Sequence, residues 1–104
     1  MAAPIRLDEV DWIIVGSGVY LAPLHEIKDG AGTAFLRFDA GGVSHKHRHP
    51  SSEELYVISG RLKIGELILE AGDFLRTAEG EVHEIRALAD SVTLISLTEP
   101  LEFL

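Results

Sequence analysis

The sequence contains no cysteine, one methionine and one tryptophan, and 17 aspartates and glutamates outnumber its 9 lysines and arginines. The absence of cysteine removes disulfides, thiolate metal sites and thiol nucleophiles together. It also suits a reducing compartment, and a cytoplasmic protein is expected. The formal charge of −8 repels phosphate backbones, so nucleic acid is not an expected partner. A long apolar run is missing as well. The nearest approach, Trp12 to Leu24, is too short to cross a bilayer and is interrupted by Gly16, Gly18 and Pro23. It follows Asp8, Glu9 and Asp11, where a secretory segment carries positive charge. It reads as the entry into the first strands, and no membrane or targeting segment is expected. No window of helical length shows a 3.6-residue apolar period.

With 104 residues, 46% of them apolar, the chain suits one domain with a packed core. Short apolar runs are broken by glycine at close intervals: Thr33–Phe38, Leu55–Ile58, Arg61–Ile64, Glu66–Leu69, Val82–Arg86 and Val92–Leu97. Each is strand-sized and rich in Val, Ile, Leu, Tyr or Phe, which indicates an all-β sandwich or barrel. The expected organisation is a single domain over 1–104, with an arm over about 1–10, a barrel over about 11–98 and a short C-terminal tail. If Glu53 points inward, alternation sends Leu55 and Val57 inward and Glu54, Tyr56 and Ile58 outward. In the strand of His83, Ile85 shares its face, and Glu84 and Arg86 take the other.

Residues 44–54 read SHKHRHPSSEE, with His45, His47 and His49 at every second position. On a strand, this spacing puts all three imidazoles on one face, with i and i+2 about 6.5–7 Å apart. Two imidazoles so placed can reach one ion. A carboxylate from the next strand and a distant histidine can complete a site, and Glu53 and His83 fit if their strands lie alongside. The alternative is a solvated polar face.

These residues also stand in a recognisable frame. Gly41, five residues, His47, one residue, His49, three residues, Glu53, six residues and Gly60 resemble the first signature motif of the cupin superfamily. Gly72, five residues, Ala78, one residue, Gly80, two residues, His83, three residues and Ala87 resemble the second. The family pattern has Pro in place of Ala78 and Asn in place of Ala87, which bears on the rigidity of the loop before His83. The stretch between the motifs, Arg61 to Ala71, is short for the family and predicts a tight hairpin turning at Gly65. The resemblance implies an antiparallel double-stranded β-helix (jelly-roll) barrel holding one divalent transition metal ion. It implies His47, His49 and His83 as imidazole ligands and Glu53 as the carboxylate, either bound to the metal or released from it as a catalytic base.

Three imidazoles and a carboxylate leave open positions on an octahedral ion, and nitrogen and oxygen donors suit Fe, Mn, Ni, Co or Zn without choosing among them. The expected function is that of a metal-binding cupin acting on a small oxygenated molecule, dioxygenase-like or an isomerase or lyase. The alternative is a noncatalytic cupin that binds a small or sensory ligand around a structural metal. The segment GGVSHKHRHPSSEELYVISG is similar to the cupin part of anti-sigma sensors and to diketone-cleaving dioxygenases. The sensors' zinc-binding helical domain and a DNA-binding helix pair have no counterpart in the sequence, which argues against a direct regulatory role. The lack of cysteine excludes a Cys–Tyr cross-link. Leu55, Val57 and Ile85, bulky and inward, leave room for a small substrate only. His45 shares the ligand face toward the rim, and His25 carries no assigned role. Arg37 is either a pocket cation or an exposed residue on an edge strand. Trp12 and Tyr56 are packing or interface residues, and a homodimer is expected, covering outward Tyr56 and Ile58 or the apolar C-terminal LEFL.

Overall fold

The computed structural model describes residues 3–28, 31–48, 52–97 and 102–103, without the side chains of 26–28, 46–47 and 102–103. A 3-10 turn, Leu7–Glu9, precedes the strands β1 (Ile13–Gly16), β2 (Val19–Lys28), β3 (Ala31–Phe38), β4 (Val43–Arg48), β5 (Glu53–Ser59) and β6 (Arg61–Ile64). There follow β7 (Leu67–Glu70), β8 (Phe74–Thr77), β9 (Val82–Ala87), β10 (Ser91–Leu97) and β11 (Glu102–Phe103). One sheet runs β1-β2-β3-β10-β5-β8 and the other β11-β4-β9-β6-β7. All pairings are antiparallel. From β3 to β6 the chain changes sheet at each step, and it does so again from β7 to β10. Two staves wound in this way make the jelly roll expected from the glycine-punctuated runs. β8 was not foreseen, because Phe74–Thr77 is four residues long and mostly exposed.

Period-two patterning delivers the core. β5 buries Glu53, Leu55 and Val57 and exposes Glu54 and Tyr56. β10 buries Ser91, Thr93, Ile95 and Leu97. On β9, Ile85 and Ala87 are buried, while Glu84 and Arg86 are exposed and pair at 3.6 Å. Phe38, Leu55 and Val57 of the larger sheet pack with Leu62, Ile64 and Ile85 of the smaller in one cluster. Burial of such side chains, each contributing about 1.5–3 kcal/mol, is the main force closing the two sheets. The hairpin β6–β7 turns at Gly65, with Ile64 opposite Leu67, as the short spacing between the motifs predicts.

The crossing from β3 to β4 sets where the motif strand begins. Gly41 N–H donates to the Ala87 carbonyl, Ala87 N–H donates to the Gly42 carbonyl, and Ala40 N–H donates to Asp90 Oδ1 at 2.8 Å. These bonds latch the start of β4 to the end of β9. Outside the larger sheet, the Arg37 guanidinium stacks 4.7 Å from the Trp12 ring centroid and 4.2 Å from that of Tyr20. Its Nε is buried with no hydrogen-bond partner among the described residues. Tyr20 donates to Asp39 Oδ2 at 2.9 Å; this bond, and then the carboxylate's charge, raises the phenol pKa above its usual value. Arg37 is therefore neither a pocket cation nor an edge residue. β3 lies inside its sheet, and the side chain pins the segment before β1 to the outer face through cation–π contacts.

Gly60 occupies the corner between β5 and β6 with φ +91°. A Cβ there would overlap the Ser91 hydroxyl and the Asp90 carbonyl. That hydroxyl is committed: it accepts from Arg61 N–H at 2.9 Å and donates to the Ala89 carbonyl at 2.8 Å. Gly72 has a similar φ of +92° but open space around it. Gly60→Ala is expected to cost about 3 kcal/mol and lower Tm by about 10 °C or more. Gly72→Ala, which meets only the backbone penalty, is expected to cost about 1 kcal/mol. Denaturant melts of the two variants check the difference.

Candidate functional site

The motif strand β4 pairs with β9 in the register Val43↔Arg86, Ser44↔Ile85, His47↔His83 and Arg48↔Val82. Two residues, His45 and Lys46, therefore oppose Glu84 alone, which is a β-bulge. The bulge resets the alternation. Ser44 stands opposite inward Ile85, and three residues later position 47 stands opposite His83, on the same face of the sheet as Ile85. His45 is thereby taken out of the row expected from simple alternation and is exposed. A reading of the three histidines as one continuous face fails because the strand is not regular between Ser44 and His47.

His83 is half-buried, and its Nε2 is sealed from solvent. Glu53 comes from the facing sheet and is 3% exposed. Its register partners are Leu97 on β10 and Thr77 on β8, and Thr77 is itself 2% exposed. A carboxylate and an imidazole nitrogen thus sit in the interior on opposite sheets, and position 47 lies directly across the ladder from the imidazole. His49 and the side chain of His47 lie outside the described residues. Among the described residues no group of three or more His, Cys, Asp or Glu converges to hold a metal ion. The donors that are described, one buried carboxylate and one buried imidazole nitrogen, have the chemistry a borderline divalent ion binds.

The barrel also contains a cavity of about 620 Å³, open to solvent at its mouth and bounded by β1, β2, β3, β10 and the start of β4. Twelve of its sixteen described lining residues are apolar or glycine, and none carries a fixed charge. Leu97 is both a wall of this cavity and the direct partner of Glu53, so the carboxylate's row opens onto it. The exposed histidines His25 and His45 stand on its lining beside Pro23 and Ser44. The expected room for a small substrate only is corrected here. Leu55, Val57 and Ile85 belong to the core cluster and do not line the cavity; its walls come from β1, β2, β3, β10 and the start of β4. That lining was not among the expected site residues. Its signal was the run of small residues Ala31, Gly32, Thr33 and Ala34 opening β3, where strands usually carry bulk. No helix among the described residues is long and apolar enough to cross a membrane.

Comparison with known proteins bears on this arrangement. The family model described as the ChrR cupin-like domain matches residues 2–102. A curated relative, the DNA damage-repair/toleration protein DRT102 of Arabidopsis thaliana, is 30% identical over 76 residues, covering 67% of this chain and 24% of that protein. The chain therefore spans about a quarter of that relative's length. Among solved structures, an acetylacetone dioxygenase from Acinetobacter johnsonii superposes with a TM-score of 0.84 at 16% identity, covering 100% of this chain and 77% of that one. The complex of Rhodobacter sphaeroides SigE with the anti-sigma ChrR gives a TM-score of 0.80 at 26% identity, covering 88% of this chain and 51% of that one. The first of these likenesses speaks to fold alone. The jelly roll, the two motifs in register and the match along nearly the whole length agree: the chain belongs to the ChrR cupin-like domain family.

Proposed function

We propose that the protein binds one divalent transition metal ion through His47, His49, His83 and Glu53 and acts on a small oxygenated molecule, in the manner of a dioxygenase. The observation that carries the reading is the register of His47 with His83 on one sheet, together with a carboxylate, Glu53, that is 3% exposed on the other sheet. The fold likeness to an acetylacetone dioxygenase agrees with it. A bound ion would supply Lewis-acid chemistry at a substrate oxygen and, if redox-active, a route to O₂. The protein's own part is to hold and shield. Leu97, the register partner of Glu53, covers the carboxylate on the side of the cavity, and His83 is fixed by a ladder position on β9. The Glu53 carboxylate would hold the ion or, when not bound to it, serve as a base for an acidic C–H or O–H of the substrate.

A second reading has its own support. The matched family is named for an anti-sigma factor, and that structure is the one at 26% identity. On this reading the barrel binds a small molecule without turnover and the metal is structural.

Metal analysis of untagged protein purified without chelators tests the shared basis of both readings. About one ion per chain is expected. His83→Ala and Glu53→Gln, folded by circular dichroism, are each expected to lose at least tenfold in metal affinity. A protein that holds no ion even after reconstitution would sink both. Turnover separates the two. O₂ consumption or substrate loss supports the first, and metal-dependent Tm with no turnover supports the second.

The same reading includes a homodimer. One register row of the larger sheet's outer face runs Phe74, Tyr56, Leu94 and Phe35. Phe74 is 57% exposed and Tyr56 43%, and a second copy would cover them. Sedimentation equilibrium is expected to give the mass of two chains, and Phe74→Asp to shift it toward one. A wild-type mass of one chain at micromolar concentration would contradict this.

A further inference from the structure

The cavity beside Glu53 has more to say than that a ligand fits. An apolar cavity of about 150 Å³ suffices for benzene, and this one is about 620 Å³. Beyond Thr33 and Ser44, its described lining offers hydrogen-bonding side chains only at His25 and His45, which are exposed. A polyhydroxylated molecule placed here would leave the hydroxyls that face these walls without partners, each at the cost of its lost hydration. A molecule with a hydrocarbon body loses nothing and gains by burial.

We infer that the ligand of this site is an apolar, ring-bearing or branched molecule with a single oxygen-bearing end. That end lies toward Glu53, the body lies along β3, and Ala34 sets how large the body can be. This rests on the reading of the site at Glu53 given above and adds the substrate class to it. The argument for Ala34 is positional. The inner face of the larger sheet reads, strand to strand, Pro23, Ala34, Ile95, Leu55 and Leu75. Leu55 lies wholly in the core, Ile95 belongs to the core and also lines the cavity, and Pro23 and Ala34 complete that wall. Ala34 is the smallest member of that row. The adjacent row reads Gly32, Leu97, Glu53 and Thr77. Ala34 is thus two strands from Glu53's own strand, or about 10 Å across the sheet, which is the length of a two-ring body. A larger side chain at position 34 would project into that space.

The test measures binding by calorimetry with phenol, 2-naphthol and glucose as probes, on both metal-loaded and chelator-stripped protein. Wild type is expected to bind 2-naphthol at least tenfold more tightly than phenol and to show no binding of glucose. Ala34→Leu is expected to lose at least tenfold for 2-naphthol and less than threefold for phenol, with metal content unchanged. Ala34→Val, a smaller change that suits a strand, is expected to give an intermediate loss, so the result does not depend on the leucine variant folding. Glucose binding as tight as 2-naphthol, or an unaltered phenol-to-naphthol ratio in both variants, would overturn the inference. The stripped protein keeps the two readings apart. A ring-size preference that persists without metal supports the cavity assignment even if no native metal is found. Its absence in metal-loaded protein overturns the cavity assignment alone.

Discussion

The ladder between β4 and β9 is the constraint from which the rest of the site follows. Its register is fixed at one end by the exchange of backbone bonds between the Gly41–Gly42 corner and Ala87. Along the strand, a one-residue slip would turn every side chain to the other face. The bulge between Ser44 and His47 performs one such change of face locally, within a strand that is otherwise paired. It allows Ser44 to line the cavity while position 47 pairs in register with His83. Bulges of this kind re-aim side chains beside functional sites. Moving the latch at Ala87 would move His83 and position 47 together.

The division of the barrel interior follows from the same geometry. One end is filled by Phe38, Leu55, Val57, Leu62, Ile64 and Ile85, drawn from both sheets. The other end is bounded on β3 by Ala31, Gly32 and Ala34, too small to meet the facing wall. Glu53 lies at the boundary, with apolar Leu97 on one side and buried Thr77 on the other. A carboxylate placed there is separated from the apolar chamber by Leu97, and the other sheet carries the imidazole positions. The same barrel serves many functions, so what distinguishes this one is the composition of the chamber.

Much of this was legible in the sequence because it depends on local periodicity. The inward and outward assignments on β5 and β9 follow from a period of two, and the glycines of the two motifs marked corners that the backbone makes with positive φ, as at Gly60. What was not legible depends on partners distant in sequence. The bulge at His45 is visible only in the register with β9. The place of Arg37, between Trp12 and Tyr20, depends on an N-terminal segment returning across β3. The size of the cavity depends on which small residues end up opposite one another, and the bulky inward positions on β5 and β9 are not among its walls. His25, without a partner in sequence, acquires a place beside the chamber only through the folding of β2.

The account turns on whether imidazoles from β4 and β9 and the carboxylate of β5 meet at one ion. X-ray absorption spectroscopy on the metal-loaded protein tests this most directly, because imidazole rings give distinct multiple-scattering signals. Three imidazoles and a carboxylate oxygen at about 2.0–2.2 Å are the predicted first shell, with one imidazole lost in His83→Ala. A shell without imidazole scattering, or one that His83→Ala leaves unchanged, would contradict the account and return Glu53 and His83 to the role of buried polar residues in a ligand-binding barrel.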